Sequence, residues 1–187
     1  AYAPTAMELL KNQTRTVDAP LNGTYPRTGK AITILKTSAG DIRINLIHRH
    51  AACNDAAFEK LIEAKYFNNT SCHRMFNSEQ GSVLQCGDPT GTGMGDPGFY
   101  TPDELPEYLI NAAGAEYGMQ AQQITYPKGT VAVANSGPNT GSGQFFIALT
   151  DTQLAPSYTV IGVVDPADFS ILDKVKGYGI VLAPGTA

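Results

Sequence analysis

Between residues 41 and 47 the chain reads Asp-Ile-Arg-Ile-Asn-Leu-Ile, with polar and apolar positions in strict alternation through Leu46. A period of two predicts a strand with Ile42, Ile44 and Leu46 inward and Arg43 and Asn45 outward. Residues 32–37 form a second such run, and Ser38-Ala39-Gly40 between them predicts a β-hairpin. The period then changes. Asn54-Asp55 reads as a helix N-cap, and Ala56, Ala57, Phe58, Leu61, Ile62 and Ala64 form one apolar stripe over about three turns. Further strands are predicted at 71–76, 82–86, 130–134, 145–150 and 158–164. Asp165-Pro166 is a helix start with a cap and proline at the first position, and Phe169, Leu172 and Val175 follow at helical spacing. Ile180-Val181-Leu182 is a short candidate for a last strand, and one helical turn is expected near 104–110.

Many short strands, two helices and long glycine-rich connections predict a mainly β fold, a closed antiparallel barrel plugged at its ends by the helices. The 187 residues suit one domain at 31–187, preceded by an extended arm or linker at 1–30 that has little periodicity. Nineteen glycines and twelve prolines agree with a turn-rich β fold. The net charge is −4 and no Lys/Arg cluster is present, which argues against a nucleic-acid partner. No apolar run approaches the roughly 20 residues that span a bilayer.

Three cysteines, Cys53, Cys72 and Cys86, lack the spacing of a zinc site. Cys72 and Cys86 stand in neighbouring strands, so a bridge between them and three buried thiols are both open readings. His48, His50 and His73 are too scattered for a metal triad; His48 and His50 are expected in solvent and His73 in a structural hydrogen bond. The loop Gly87-Asp88-Pro89-Thr90-Gly91-Thr92-Gly93 lacks the Lys-Ser/Thr and following helix of a phosphate loop and reads as scaffolding. Arg74 stands alone in a β-prone apolar run. An unpaired guanidinium is costly to bury, so it lines a groove or pairs with an acid such as Asp88 or Glu104.

The company of Arg74 carries a family resemblance. His73-Arg74, Leu84-Gln85, Gly87-Asp88-Pro89, Gly91-Thr92-Gly93, residues 134–139 (Ala-Asn-Ser-Gly-Pro-Asn), residues 143–147 (Gly-Gln-Phe-Phe-Ile) and Gly162 resemble the cyclophilins, in particular actinobacterial-like members. Weaker agreement runs from Ile32 to the helix near Lys174. The resemblance implies an eight-stranded antiparallel barrel closed by two helices, with peptidyl-prolyl cis/trans isomerase activity that assists protein folding. By the same resemblance Arg74 is the catalytic residue, Gln85 hydrogen-bonds the substrate backbone, and Asn135, with Ala134 beside it, grips the peptide next to proline. Val83, Phe146 and Leu154 form the proline pocket. The implied partners are proline-containing segments of client proteins, bound by a monomer without cofactor or metal. A proline-peptide-binding chaperone module with little turnover is the alternative.

The chain departs from the family in places. Residues 75–81 are a longer connection than usual, Ser82 stands where a pocket phenylalanine is common, and Tyr158 replaces a rim histidine. Gln153 falls near the position of a tryptophan associated with tight cyclosporin binding, so weak binding is expected. The segment 102–123 is longer than in compact members. The family expects a strand after the second helix, which either Ile180-Val181-Leu182 supplies or trimming has removed. The arm and the cysteine pair point to an extracytoplasmic, membrane-tethered protein, with a cytoplasmic one as the alternative.

Overall fold

A computed structural model describes residues 15–20, 31–105 and 123–178. The alternating run forms the predicted hairpin of β1 (Ile32–Thr37) and β2 (Gly40–Leu46). Gly40 takes φ +143° at the turn, and the Thr37 hydroxyl accepts from the Ala39 and Gly40 N–H groups at 3.1 and 3.2 Å. Ile42, Ile44 and Leu46 are buried, as their period predicts. The remaining strands are β3 (Arg74–Ser78), β4 (Gly81–Cys86), β5 (Ile124–Tyr126), β6 (Thr130–Val133), β7 (Phe145–Ala148), β8 (Thr152–Leu154) and β9 (Val160–Val164).

Seven strands make one antiparallel sheet in the order β1-β2-β9-β6-β7-β4-β3. β5 and β8 form a separate two-stranded ribbon. The expected eight-stranded ring is thus a curled seven-strand sheet plus a ribbon among the described residues, and its edge strands β1 and β3 do not pair with each other. β5 and β8, three residues each, are too short to show a period, which is why neither is legible in sequence. The expected helical turn near 104–110 lies mostly, and the last strand at 180–182 entirely, outside the described residues.

Two helices pack on the core, α1 (Ala52–Glu63) and α2 (Phe169–Gly177). Phe58 and Leu61 of α1 and Leu172 and Val175 of α2 are buried, and Phe58 meets Phe145 edge-on at 5.3 Å. The start of α2 matches expectation: Asp165 accepts from the Ala167 N–H at 2.9 Å, and Pro166 opens a short 3-10 turn (Pro166–Asp168). That turn points Asp168 at Arg43, which donates from its main chain, Nε and Nη2 at 2.9, 2.9 and 2.7 Å. These bonds pull the Asp168 carboxyl down to about 2.

The start of α1 differs from expectation. Asn54 and Asp55 are buried in its first turn and do not cap it. The cap comes from far along the chain, where Glu104 accepts from the Cys53 and Asn54 N–H groups at 3.1 and 2.9 Å and from Asn54 Nδ2 at 2.8 Å. A carboxylate there meets unpaired N–H groups and the positive end of the helix dipole. His48, expected in solvent, is buried: Nδ1 lies 3.3 Å from Asp55 Oδ2 and Nε2 lies 3.7 Å from Glu59 Oε1. Burial, then the charges of Glu59 and Glu104, push the Asp55 carboxyl up to about 8.

The described part of the arm, residues 15–20, is docked. Arg15 Nη1 donates to the carbonyls of Lys65, Tyr66 and Asn68 beyond α1, and the Val17 N–H donates to the Pro97 carbonyl at 2.9 Å.

Candidate active site

β3 and β4 are hydrogen-bonded so that Arg74 stands directly opposite Gln85, and Gln85 in turn stands opposite Phe146 on β7. Directly paired residues project from the same face of a sheet, so these three form one row across three strands. Val83 lies two residues from Gln85 on that same face. Arg74 is exposed, and no acid pairs with it among the described residues. Neither Asp88 nor Glu104 takes the partner role that sequence reasoning offered them. Instead Arg74 Nη1 reaches Gln85 Oε1 at 3.5 Å, the long end of a hydrogen bond.

A polar chain continues from there. Gln85 Nε2 donates to Gln144 Oε1 at 2.9 Å, and Gln144 Nε2 donates to the Gly93 and Gly95 carbonyls at 3.0 Å each. The glycine-rich loop holds those carbonyls still because it is wound around Asp88. That buried carboxylate accepts from Thr90 N and Oγ1 at 2.7 and 2.6 Å, and from the N–H groups of Thr92, Gly93 and Gly95 at 3.1, 2.6 and 3.2 Å. Burial opposes ionisation of Asp88, but the Thr90 hydroxyl and the loop N–H groups outweigh it and hold the carboxyl below the usual range. A Cβ at Gly95 would sit 2.1 Å from Asp88 Oδ1, so the loop needs glycine there. The loop is scaffolding, as its sequence predicts.

The apolar side of the site is aromatic. Phe146 is buried and meets Tyr158 edge-on at 5.2 Å and Tyr126 at 6.1 Å. Tyr126 donates its hydroxyl to the Ala155 carbonyl at 3.1 Å and accepts from the Tyr158 N–H at 3.3 Å, which fixes the loop carrying Tyr158. Leu154 is half-buried on β8, opposite Ile124. Gln153 beside it is tied to Thr125 Oγ1 at 2.5 Å. Ser82 is buried and donates its hydroxyl to the Phe76 carbonyl at 3.2 Å. The Ala134 N–H donates to the Gln144 carbonyl at 2.9 Å. Asn135 Nδ2 donates to the Ser157 carbonyl at 2.8 Å, so the side chain anchors the residue.

His73 makes no hydrogen bond within ordinary geometry, contrary to the sequence expectation. Burial, with the Arg74 charge adding to it, outweighs nearby Asp88 and Gln144 and pushes its pKa below the ordinary value. Of the two open readings of Cys72 and Cys86 the structure shows the disulfide, and Cys53 lies apart from it as a thiol. A cleft of about 1520 Å³ opens between β1 and β3 and is bordered by Cys72, His73, Arg74 and Cys86, but not by Val83, Gln85, Phe146, Leu154 or Tyr158.

Sequence reasoning gave no role to Gln144 or Tyr126. Gln144 lay inside the quoted Gly-Gln-Phe-Phe motif, but its partners are 59 and about 50 residues away along the chain. Tyr126 had no signal at all, since β5 itself was not legible.

Among the described residues, a curled seven-strand sheet with two helices and an Arg74–Gln85–Phe146 row on one face is the arrangement of the cyclophilin fold class. The chain belongs to that family: the profile described as "Cyclophilin type peptidyl-prolyl cis-trans isomerase/CLD" matches residues 32–181. Among its relatives are proteins named probable peptidyl-prolyl cis-trans isomerase B. The one from Mycobacterium tuberculosis is 37% identical over 162 residues, covering 83% of this chain and 52% of the relative. That from Mycobacterium leprae is 37% identical over 182 residues, covering 96% and 59%. The chain thus spans only a little over half of these mycobacterial proteins. Human peptidyl-prolyl cis-trans isomerase-like 1 is 35% identical over 135 residues, 70% of each chain. Among solved structures, a Cryptosporidium parvum cyclophilin type peptidyl-prolyl cis-trans isomerase superposes with TM-score 0.62 at 25% identity, covering 79% of this chain and 85% of that one.

Proposed function

We propose that this chain is a peptidyl-prolyl cis/trans isomerase acting on proline-containing segments of client proteins, with Arg74 as its catalytic group. The observation that carries the reading is the Arg74–Gln85–Phe146 row, a fixed cation and an amide beside a buried aromatic surface. Rotation about an X–Pro bond faces a barrier of ~18–20 kcal/mol because the C–N bond has partial double-bond character. As the bond twists, the lone pair localises on the proline nitrogen, and a guanidinium aimed there stabilises the twisted amide more than either planar form. Arg74 is available for this because no carboxylate neutralises it among the described residues. Gln85 hydrogen-bonds the substrate backbone, and Gln144 and the Asp88-wound loop hold that amide in place. Phe146, Val83, Leu154 and Tyr158 take the pyrrolidine ring; Asn135 and Ala134 bind the peptide next to it. Ser82 and Gln153 shape the edge of that pocket from positions already committed to protein partners. No step needs a cofactor.

In a protease-coupled assay on a short X–Pro peptide, Arg74→Ala lowers kcat/KM by about 10²–10³, the cost of removing one preorganised transition-state donor. Equal slow rates for wild type and variant would favour the alternative, a proline-peptide-binding chaperone module.

We further propose a monomer with weak cyclosporin affinity, because Gln153 is held by Thr125 and offers no large flat ring to the ligand. Nanomolar inhibition in a titration would contradict this. We also propose an extracytoplasmic, membrane-tethered location, of which the Cys72–Cys86 disulfide supports the oxidising compartment. Immunoblots of washed membranes and cytosol test it, and signal confined to cytosol would refute it.

A further inference from the structure

We infer that the Cys72–Cys86 disulfide is a redox-sensitive positioning staple that sets the activity of Arg74 and Gln85; this rests on the isomerase reading. The disulfide brackets the row: Cys72 lies two residues before Arg74, and Cys86 immediately follows Gln85. Among the described residues β3 is an edge strand, paired only with β4. The residues that lead into it, 70–73, belong to no strand or helix, so the disulfide is the covalent tie at the end of β3 where Arg74 sits. Among the described residues the guanidinium's side-chain hydrogen bond is the 3.5 Å approach to Gln85, at the long limit of such bonds.

The other half of the bridge is rigid. Cys86 is buried in the core cluster beside Phe145. Gly87 follows with φ +93°, where a Cβ would lie 2.3 Å from the Gly143 carbonyl oxygen. The staple therefore fastens the Arg74 end of an edge strand to the rigid end of β4. It is also reachable. Cys72 is exposed, and both sulfur-bearing residues border the open cleft between β1 and β3.

A dithiol reductant can act there by ordinary exchange. Its thiolate attacks one sulfur of the bridge, the S–S bond breaks, and a mixed disulfide forms. The second thiolate of the reductant then displaces the other protein sulfur. Two electrons pass to the protein, which gains two protons to give the Cys72 and Cys86 thiols, and the reductant leaves as its own disulfide. The core on which β4 lies does not depend on the bridge, so reduction releases the Arg74 end of β3 and leaves the fold standing. The catalytic cost is steep because small displacements of a positioned group are expensive.

The experiment uses the full chain, oxidised or treated with dithiothreitol, with thiols counted in the denatured protein, and reads kcat and KM separately in the X–Pro assay. Oxidised protein shows one thiol and full turnover; reduced protein shows three thiols and roughly tenfold lower kcat. Its KM changes little and its far-ultraviolet circular dichroism is unaltered. Reoxidation restores the rate. The double variant Cys72→Ala/Cys86→Ala sits at the reduced rate whether or not reductant is present. Unchanged kcat with three thiols counted overturns the inference, and so does loss of rate that merely tracks loss of the circular dichroism signal. Absence of turnover in the oxidised protein is the distinct result that removes the isomerase reading itself.

Discussion

Arg74 can be exposed and still be selective because its partners are amides. An amide oxygen orients a guanidinium without cancelling its charge, whereas a carboxylate would do both. That puts weight on Gln144, which keeps the Gln85 amide from turning over and is itself held by two loop carbonyls. Gln144→Ala removes these bonds at a half-buried position and leaves the apolar core intact. Its kcat/KM is expected to fall roughly tenfold, the scale of one lost hydrogen bond, while Tm moves little. An undiminished rate would show that Gln85 holds itself.

At the scale of elements, α1 is the part of the fold that local rules describe least well. Its apolar stripe is legible because every contributing residue lies within one helix. Its cap is not, because Glu104 arrives from about fifty residues away. With the cap supplied from elsewhere, Asn54 and Asp55 are drawn into the first turn and buried, and Asp55 meets His48. Burial and the Glu59 and Glu104 charges raise the folded pKa of Asp55 to about 8, above its unfolded value. Folding then favours the protonated form, and this residue's contribution declines as pH rises from about 4, where the unfolded chain ionises, to about 8. Asp55→Asn keeps the shape without the charge. Thermal melts are expected to show the variant at least as stable as wild type at pH 8, with a gain of about 2–4 °C for each kcal/mol recovered in a chain of this size. A variant that melts lower at pH 8 would mean that the His48 contact outweighs the burial cost.

At the scale of the whole molecule, the long-range pairs hold the two parts of the site together. β4 pairs with β3 on one side and with β7 on the other, so residues near 74, 85 and 146 meet only when these three strands pair. The docked stretch of the arm reaches the same region, with Arg15 beside the end of α1 and Val17 against the loop that Asp88 winds. What the sequence by itself determined was whatever lies within a few residues: the period-two hairpin at 32–46, the Asp165-Pro166 start of the second helix, the scaffold character of the glycine loop, and the motif that marks Arg74, Gln85 and Phe146. Side-chain period and turn chemistry are local properties, and a single run of residues displays them completely. Only the tertiary structure decided which of two readings of Cys72 and Cys86 holds, that His48 is buried, that Glu104 caps α1, and that Gln144 and Tyr126 contact the candidate site residues. Each of these depends on the distance between residues far apart in the chain, and that distance exists only once the sheet has formed.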